Sequence, residues 1–80
     1  MKIKLTAFGI AKDILGNRVL ELEIMDNTTI ANLKTQLIET YPTFSKLASL
    51  SFAVNETYQE DDFLLSENQE VVIIPPVAGG

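Results

Sequence analysis

One stretch of the chain has the pattern of an amphipathic helix, and it limits the possible folds more than any other feature. The helix is predicted to begin after Thr29, a good N-cap residue, and to end before Pro42, which cannot continue a helix. Its apolar residues form a single stripe, made of Ile30, Leu33, Leu37, Ile38 and Tyr41. Because one stripe buries one face, we expect this helix to lie across a sheet and not inside a bundle of helices.

Two strands are predicted before this helix. Residues 2–8 alternate in polarity and place Ile3, Leu5 and Ala7 on one face, and residues 19–24 alternate again. Two strands so close in sequence are most simply an antiparallel pair.

The segment between those strands, residues 9–16, predicts a short helical turn. Ile10 and Ile14 lie four positions apart in it. Gly16 can adopt the left-handed backbone conformation that often ends a helix. Phe8, just before it, places a large aromatic ring on the polar face of the first strand. This ring either caps the core or contacts another molecule.

The remaining strands follow the helix. Residues 50–55 predict a third strand, residues 57–58 a short strand after a tight turn, and residues 63–65 a return of the chain to the core. Asn68 is best suited to positive φ in the last turn. Residues 71–74 are apolar on both faces, as in a central strand, and are expected to lie beside the first strand. The order predicts an α+β domain with a mixed sheet of about four to five strands and one main helix across it.

The end of the chain has a composition of its own. Pro75 and Pro76 stop the last strand, because proline has no backbone N–H and a fixed φ. Val77 and Ala78 then lead to Gly79-Gly80, which carry no side chains. We interpret residues 1–75 as the folded domain and 76–80 as a flexible tail that presents the carboxylate of Gly80 for chemistry.

The charge is distributed unevenly along the chain. The net charge is −5, and all six basic residues lie in the first 46 positions. Nucleic acid is therefore a poor partner, whereas a protein with a basic face is a natural complement. The alternative is that the acidic residues only keep the domain soluble. No membrane span or secretory signal is recognisable, which favours a cytoplasmic location.

Few groups suited to catalysis are present. The chain has no histidine and no cysteine, which excludes imidazole-dependent triads and thiolate nucleophiles. It also lacks a glycine-rich phosphate loop, and the acidic run at residues 60–62 does not have the spacing of a calcium loop. We therefore expect no enzyme activity from this chain alone, no bound cofactor and no metal.

Several short motifs resemble one known family over essentially the whole chain. They are Phe8-Gly9, Lys12-Asp13, Gly16, Val54-Asn55-Glu56-Thr57, Leu65, Glu70-Val71 and the ending Pro75-Pro76-Val77-Ala78-Gly79-Gly80. These motifs are similar to those of the MoaD family, the small sulfur-carrying subunits of molybdopterin synthase. Lys12 replaces the usual arginine of that family, and its ammonium group cannot make the bidentate contact with a carboxylate that a guanidinium group makes. Asn68-Gln69 replaces a customary Gly-Asp turn.

The resemblance implies a ubiquitin-like β-grasp fold and a carrier cycle. A MoeB-like, ubiquitin-activating-like enzyme would use ATP to adenylate Gly80, and a sulfurtransferase would supply the sulfur of a thiocarboxylate. The sulfur would be donated to cyclic pyranopterin monophosphate in the large, MoaE-like subunit, within a heterotetramer. The partner-binding residues are expected to be Phe8, Lys12, Tyr58, Ile74, Pro75, Pro76, Val77 and Ala78. Of these, Phe8, Tyr58 and Ile74 are predicted to form an apolar patch on the sheet face that the helix leaves uncovered.

Three other functions remain open at this point. A sulfur carrier of thiamine biosynthesis would share the fold and the Gly-Gly end. A protein modifier would join Gly80 to lysines of other proteins. A β-grasp interaction module would bind other proteins through its folded domain, and its Gly-Gly tail would take part in no reaction. For Tyr58 in particular, packing and partner binding are equally good explanations.

Overall fold

The computed structural model describes residues 1–47 and 49–75, which form a five-stranded mixed sheet with one long helix on one face. The elements in chain order are β1 (Lys2–Ala7), α1 (Gly9–Leu15), β2 (Val19–Glu23), α2 (Ile30–Thr40), a 3₁₀ helix (Pro42–Lys46), β3 (Ser51–Val54), β4 (Thr57–Gln59) and β5 (Glu70–Ile74). The predicted Pro76, Val77, Ala78, Gly79 and Gly80 tail lies outside the described residues.

The strands lie in the order β2-β1-β5-β3-β4, so the last strand is the central one. β5 runs parallel to β1 and antiparallel to β3. The pairs β1–β2 and β3–β4 are also antiparallel. Val71 and Ile73 of β5 are fully buried. The prediction that the unbroken apolar strand is central and lies beside the first strand is confirmed.

The core lies between the sheet and α2. Ile3, Leu5 and Ala7 of β1 point into it, as the alternation predicted. The other buried residues of this cluster are Ala11, Leu15, Ile24, Ile30, Leu33, Leu37, Phe44, Phe52, Val54, Leu65, Val71 and Ile73. Among residues 1–47 and 49–75, the buried core therefore runs from Ile3 to Ile73.

Helix α2 has the boundaries and the buried face that the sequence indicated. Ile30, Leu33 and Leu37 are buried, and the chain turns into the 3₁₀ helix at Pro42. At its start, the Asn32 N–H donates to Thr29 Oγ1, and the Thr29 N–H donates to Asn32 Oδ1, both at 3.2 Å. These two bonds make a capping box, which satisfies donors that a helix N-terminus otherwise leaves without partners.

We expect Thr29→Ala to lower the free energy of unfolding by about 1 kcal/mol, because the cap acceptor is lost. Urea denaturation followed by circular dichroism measures this difference. Thr35→Ala is the matched control, since Thr35 lies within the same helix and donates only to the Ala31 carbonyl. The control should be neutral or slightly stabilising, because alanine has the higher helix propensity. Equal destabilisation by the two changes would contradict a role for the cap.

The start of the chain differs from the prediction at the end of β1. β1 ends at Ala7, one residue before the predicted end, and Phe8 is the N-cap residue of α1. Helix α1 buries Ala11 and Leu15, whereas Ile10 is 45% exposed. The two apolar pairs Ile10/Ile14 and Ala11/Leu15 have the same spacing. Periodicity alone does not distinguish the two pairs. The packing of α1 against β1 decides that the second pair, Ala11 and Leu15, is the buried one.

The turns have the left-handed residues that the strand geometry requires. Asn68 has a φ of 65°, as predicted for the last turn. In the β3–β4 turn both Asn55 and Glu56 have positive φ, 49° and 75°, which matches the twist of a two-residue hairpin. Leu64 was expected to point toward the core with its neighbours, but it is exposed, while Leu65 is buried.

Candidate docking surface at the end of the central strand

The central strand, β5, ends at one edge of the sheet. β5 finishes at Ile74, which pairs with Ser51 at the start of β3, and the preceding Ile73 pairs with Ala7 at the end of β1. Pro75, the last described residue, is half-buried there. We call this edge, where the described part of the chain ends, the exit edge.

The face of the sheet opposite α2, which we call the outer face, carries a continuous row of residues across all five strands. The row follows from the register, in which Thr6 is paired with Val19 on one side and Val72 on the other, and Ala53 is paired with both Val72 and Tyr58. Paired residues point to the same face, because side chains alternate with a period of two. Most of this row is apolar, although the opposite face already holds the core.

Two more apolar side chains extend this row toward the exit edge. Ile74 lies two residues beyond Val72 and therefore shares its face. Phe8 lies two residues beyond Thr6, and its extended backbone, with φ −131° and ψ 161°, continues the alternation of β1. We name the resulting surface the outer-face patch. Its members are Phe8, Val19, Tyr58, Val72 and Ile74.

The outer-face patch is open to solvent. Phe8 is 52% exposed, Val19 is 50% exposed and Tyr58 is 67% exposed. Contiguous exposed apolar residues of this kind mark interaction sites in globular proteins. The structure thus brings Phe8, Tyr58 and Ile74 onto one face, as the sequence suggested. It adds Val19 and Val72, which could be found only from the strand register.

The outer face changes character away from the exit edge. Lys4 is paired with Glu21 on one side and with Glu70 on the other, and Lys2 is paired with Glu23. Opposite charges on directly paired residues stabilise a sheet modestly and keep this half of the face hydrated. The outer face is therefore apolar near the exit edge and charged at the other end.

Lys12, the remaining described residue with a predicted partner role, lies beside this surface. It is exposed on α1, one helical turn after Phe8, and its N–H donates to the Phe8 carbonyl at 3.4 Å. The Lys12 backbone is thus one helical turn from Phe8 of the outer-face patch. The position fits the predicted use in partner binding, which stays a prediction.

Thr6, which lies between Val19 and Val72 in the row, contains the one buried side-chain oxygen or nitrogen without a hydrogen-bond partner within residues 1–47 and 49–75. The residue is only 7% exposed although it lies on the outer face. A buried hydroxyl without a partner is destabilising by roughly 1–3 kcal/mol relative to an apolar group of the same shape.

We therefore expect Thr6→Val, which keeps the shape and removes the hydroxyl, to raise the free energy of unfolding by about 1 kcal/mol. Chemical denaturation with urea is the measurement. Thr57→Val, at an exposed position of β4, is the matched control and should change stability by less than about 0.5 kcal/mol. A loss of stability in Thr6→Val would mean that the hydroxyl has a partner in solution.

Helix α2 does not offer an anion site. The Ile30 N–H donates to the Phe63 carbonyl and the Ala31 N–H to the Asp61 carbonyl, both at 3.0 Å. The Asn32 N–H is bonded to the Thr29 cap. The donors that make helix N-termini attractive to phosphate are thus already occupied by the protein itself.

The described residues contain no group of three or more His, Cys, Asp or Glu side chains arranged to hold a metal ion. Across the same residues, we find no helix with the length and apolar character needed to cross a membrane.

Comparisons with known proteins agree with this architecture. The ThiS family model matches residues 5–80. A molybdopterin synthase sulfur carrier subunit from Dictyostelium discoideum is 32% identical over 83 residues, covering 99% of this chain and 96% of that protein. A protein of the same name from Chlamydomonas reinhardtii is 31% identical over 83 residues, with 100% of both chains covered.

Among solved structures, a putative molybdopterin converting factor subunit 1 from Pyrococcus furiosus superposes with a TM-score of 0.87 at 22% identity. The match covers 96% of this chain and 99% of that one. The ubiquitin-like β-grasp fold predicted from the sequence is thereby confirmed.

Proposed function

The chain belongs to the ThiS family, and from this membership we propose that it is the sulfur-carrying small subunit of a molybdopterin synthase. The observation that carries the proposal is the end-to-end match to relatives with that name, at 31–32% identity. The family match extends to Gly80, so the Gly-Gly ending lies within the shared sequence. The open outer-face patch beside the exit edge supports the same proposal.

The proposed chemistry takes place on the carboxylate of Gly80. A carboxylate is a poor electrophile, because its charge is delocalised and its oxygen is a poor leaving group. In the proposed cycle, a carboxylate oxygen attacks the α-phosphorus of ATP on an adenylating enzyme, and pyrophosphate leaves. Sulfur at the oxidation level of hydrosulfide, supplied through a sulfurtransferase, then attacks the acyl carbon, AMP departs with the original oxygen, and the sulfur loses its proton. The product is a thiocarboxylate.

The thiocarboxylate then acts as the sulfur donor to cyclic pyranopterin monophosphate in the large subunit. Sulfur is the more nucleophilic end of the thiocarboxylate, and hydrolysis of the resulting acyl intermediate returns Gly80 to the carboxylate. The chain is a cosubstrate in this scheme, and the groups that hold the pterin belong to the partner. Glycine at the last two positions allows the end of the chain to enter a narrow channel.

The outer-face patch is the proposed docking surface for both partners. Phe8, Tyr58 and Ile74 are hydrophobic side chains beside the exit edge, so a protein that covers them also receives the end of the chain. The adenylating enzyme and the large subunit would use the same surface in turn. They should therefore compete with each other for the carrier.

Reconstitution tests this function. The purified chain, first converted to the thiocarboxylate, is mixed with a molybdopterin synthase large subunit and cyclic pyranopterin monophosphate, and the dithiolene product is measured by its fluorescent oxidation product. Product that increases in proportion to the thiocarboxylate supplied supports the proposal. Failure with this substrate, together with sulfur transfer in a thiazole-forming reaction of thiamine synthesis, would overturn it in favour of the thiamine carrier.

A further inference from the structure

A second feature next to the outer-face patch is a surface cavity at the edge of the sheet. It has a volume of about 270 Å³. Strand β4 stops at Gln59, opposite Phe52, so the beginning of β3 extends beyond it. The chain after β4 then turns away toward the start of α2, where the Asp61 carbonyl accepts the Ala31 N–H. The cavity is the space left between this turn and the overhanging start of β3.

The cavity has an apolar floor and an acidic rim. Ile30 and Phe52, each 1% exposed, and the half-buried Leu50 provide the floor. Glu60 and Asp61 are exposed at the rim, with Ser51 and Gln59 adding polar groups. A long aliphatic side chain with a cationic end matches this arrangement, since its methylene groups can pack on the floor while its head stays at the rim.

The size of the cavity favours one side chain over a free metabolite. Pockets that hold drug-sized ligands usually have volumes of roughly 300–1,000 Å³, and this cavity is smaller and open. Tyr58 lines the cavity from β4, while its side chain shares the outer face with its paired residue Ala53. Arginine offers a planar set of donors to the two neighbouring carboxylates of the rim.

The charges around the cavity leave room for a cation from another molecule. Lys34 Nζ lies 3.4 Å from Asp61 Oδ1 and offsets one of the rim charges. Glu60 and the adjacent Asp62 have no ion-pair partner among residues 1–47 and 49–75. The sequence has no lysine or arginine after Lys46, so cations near this rim come only from the first half of the chain or from a partner.

We propose that this cavity receives an arginine side chain of the protein that docks on the outer-face patch. Tyr58 belongs to both surfaces, so a partner that covers the patch extends over the cavity as well. The inference rests on the proposed function for the identity of the docking protein, but not for the binding chemistry of the cavity. Because the rim is exposed, the contact sets the register and the association rate more than it adds affinity.

The test uses the full-length ¹⁵N-labelled chain and N-acetyl-arginine N-methylamide as the probe. We expect concentration-dependent shifts of the Ser51, Phe52 and Gln59 amide signals, saturable and reduced by salt. N-acetyl-citrulline N-methylamide has nearly the same shape without the charge, and it should cause no saturable shift at these amides. The double variant Glu60→Gln/Asp61→Gln should bind the arginine probe about fivefold more weakly.

The matched control is Glu56→Gln/Glu67→Gln, which removes the same number of exposed charges at turns that do not line the cavity. It should bind the probe as the unchanged protein does. Equal binding of citrulline, shifts centred elsewhere, or equal weakening by the two double variants would each overturn the inference. An arginine-binding cavity in a chain whose Gly80 never accepts sulfur would refute the proposed function alone. A sulfur carrier whose cavity ignores arginine would refute this inference alone.

Discussion

A variant that lacks Gly79 and Gly80 is expected to lose sulfur transfer completely while its unfolding curve stays unchanged. The reacting carboxylate is moved back by two residues, to Ala78, where it no longer reaches the catalytic centres of the two partners. Gly79 and Gly80 carry no side chains, and the buried core found among residues 1–47 and 49–75 runs from Ile3 to Ile73, so the truncation leaves that core intact. This change should therefore separate function from stability more cleanly than any substitution in the body.

The measurement is single-turnover formation of molybdopterin with the large subunit in excess, alongside urea denaturation of the same protein. An Ala78→Gly variant is the matched control, because it alters the tail but keeps the length and the terminal glycines. We expect the control to retain most of the activity. Sulfur transfer by the truncated chain would mean that the reactive group is not the carboxylate of Gly80.

Phe8→Asp is expected to weaken binding of the large subunit and of the adenylating enzyme by roughly 30-fold or more, since central aromatic residues of interfaces contribute about 2 kcal/mol or more. The change replaces an apolar ring of the outer-face patch with a charge that a docked partner would have to bury without a counter-charge. Phe8 is 52% exposed, so the fold should tolerate the substitution. Isothermal titration calorimetry with each partner gives the two affinities.

Leu64→Asp is the matched control for this experiment. Leu64 is 54% exposed, close to the value for Phe8, but it lies beside Thr29 at the start of α2 and outside the five strands of the sheet. We expect its partner affinities to stay within about threefold of the unchanged protein, as for most surface positions outside an interface. Normal binding by Phe8→Asp would show that the partners dock elsewhere.

Much of the fold was predictable because local chemistry and long-range packing agree. Thr29 and Pro42 mark the ends of α2 through the hydrogen bonds they make or lack. Asn68 has the positive φ that its turn requires. The unbroken apolar run of β5 indicated its central position between two neighbouring strands, where Val71 and Ile73 are buried and Val72 and Ile74 are half-buried.

The outer-face patch was only partly predictable. Phe8 and Tyr58 stand out as aromatic residues at polar positions, so the sequence alone could identify them. Val19 and Val72 could not be assigned, because each becomes part of the patch only through the pairing of its strand with β1. The position of Thr6 has the same origin, since its paired neighbours Val19 and Val72 come from two other strands.

The choice between two equally spaced apolar pairs in α1 was also beyond the sequence. A short helix has no long stripe to fix its rotation, so its orientation is set by what it packs against. The chemistry of Gly80, by contrast, was proposed from composition and family resemblance and depends on residues outside the described part of the chain. Its support comes from the relatives and from the placement of the exit edge.

The most direct test of the account is the mass of the chain after charging. The purified protein is incubated with an adenylating enzyme of the carrier pathway, ATP and a sulfur donor, and is then analysed intact and by fragmentation. The account predicts that one oxygen is replaced by one sulfur, and that the replacement is located in the fragment containing Gly80. An unchanged mass, or sulfur located on any other residue, would contradict it.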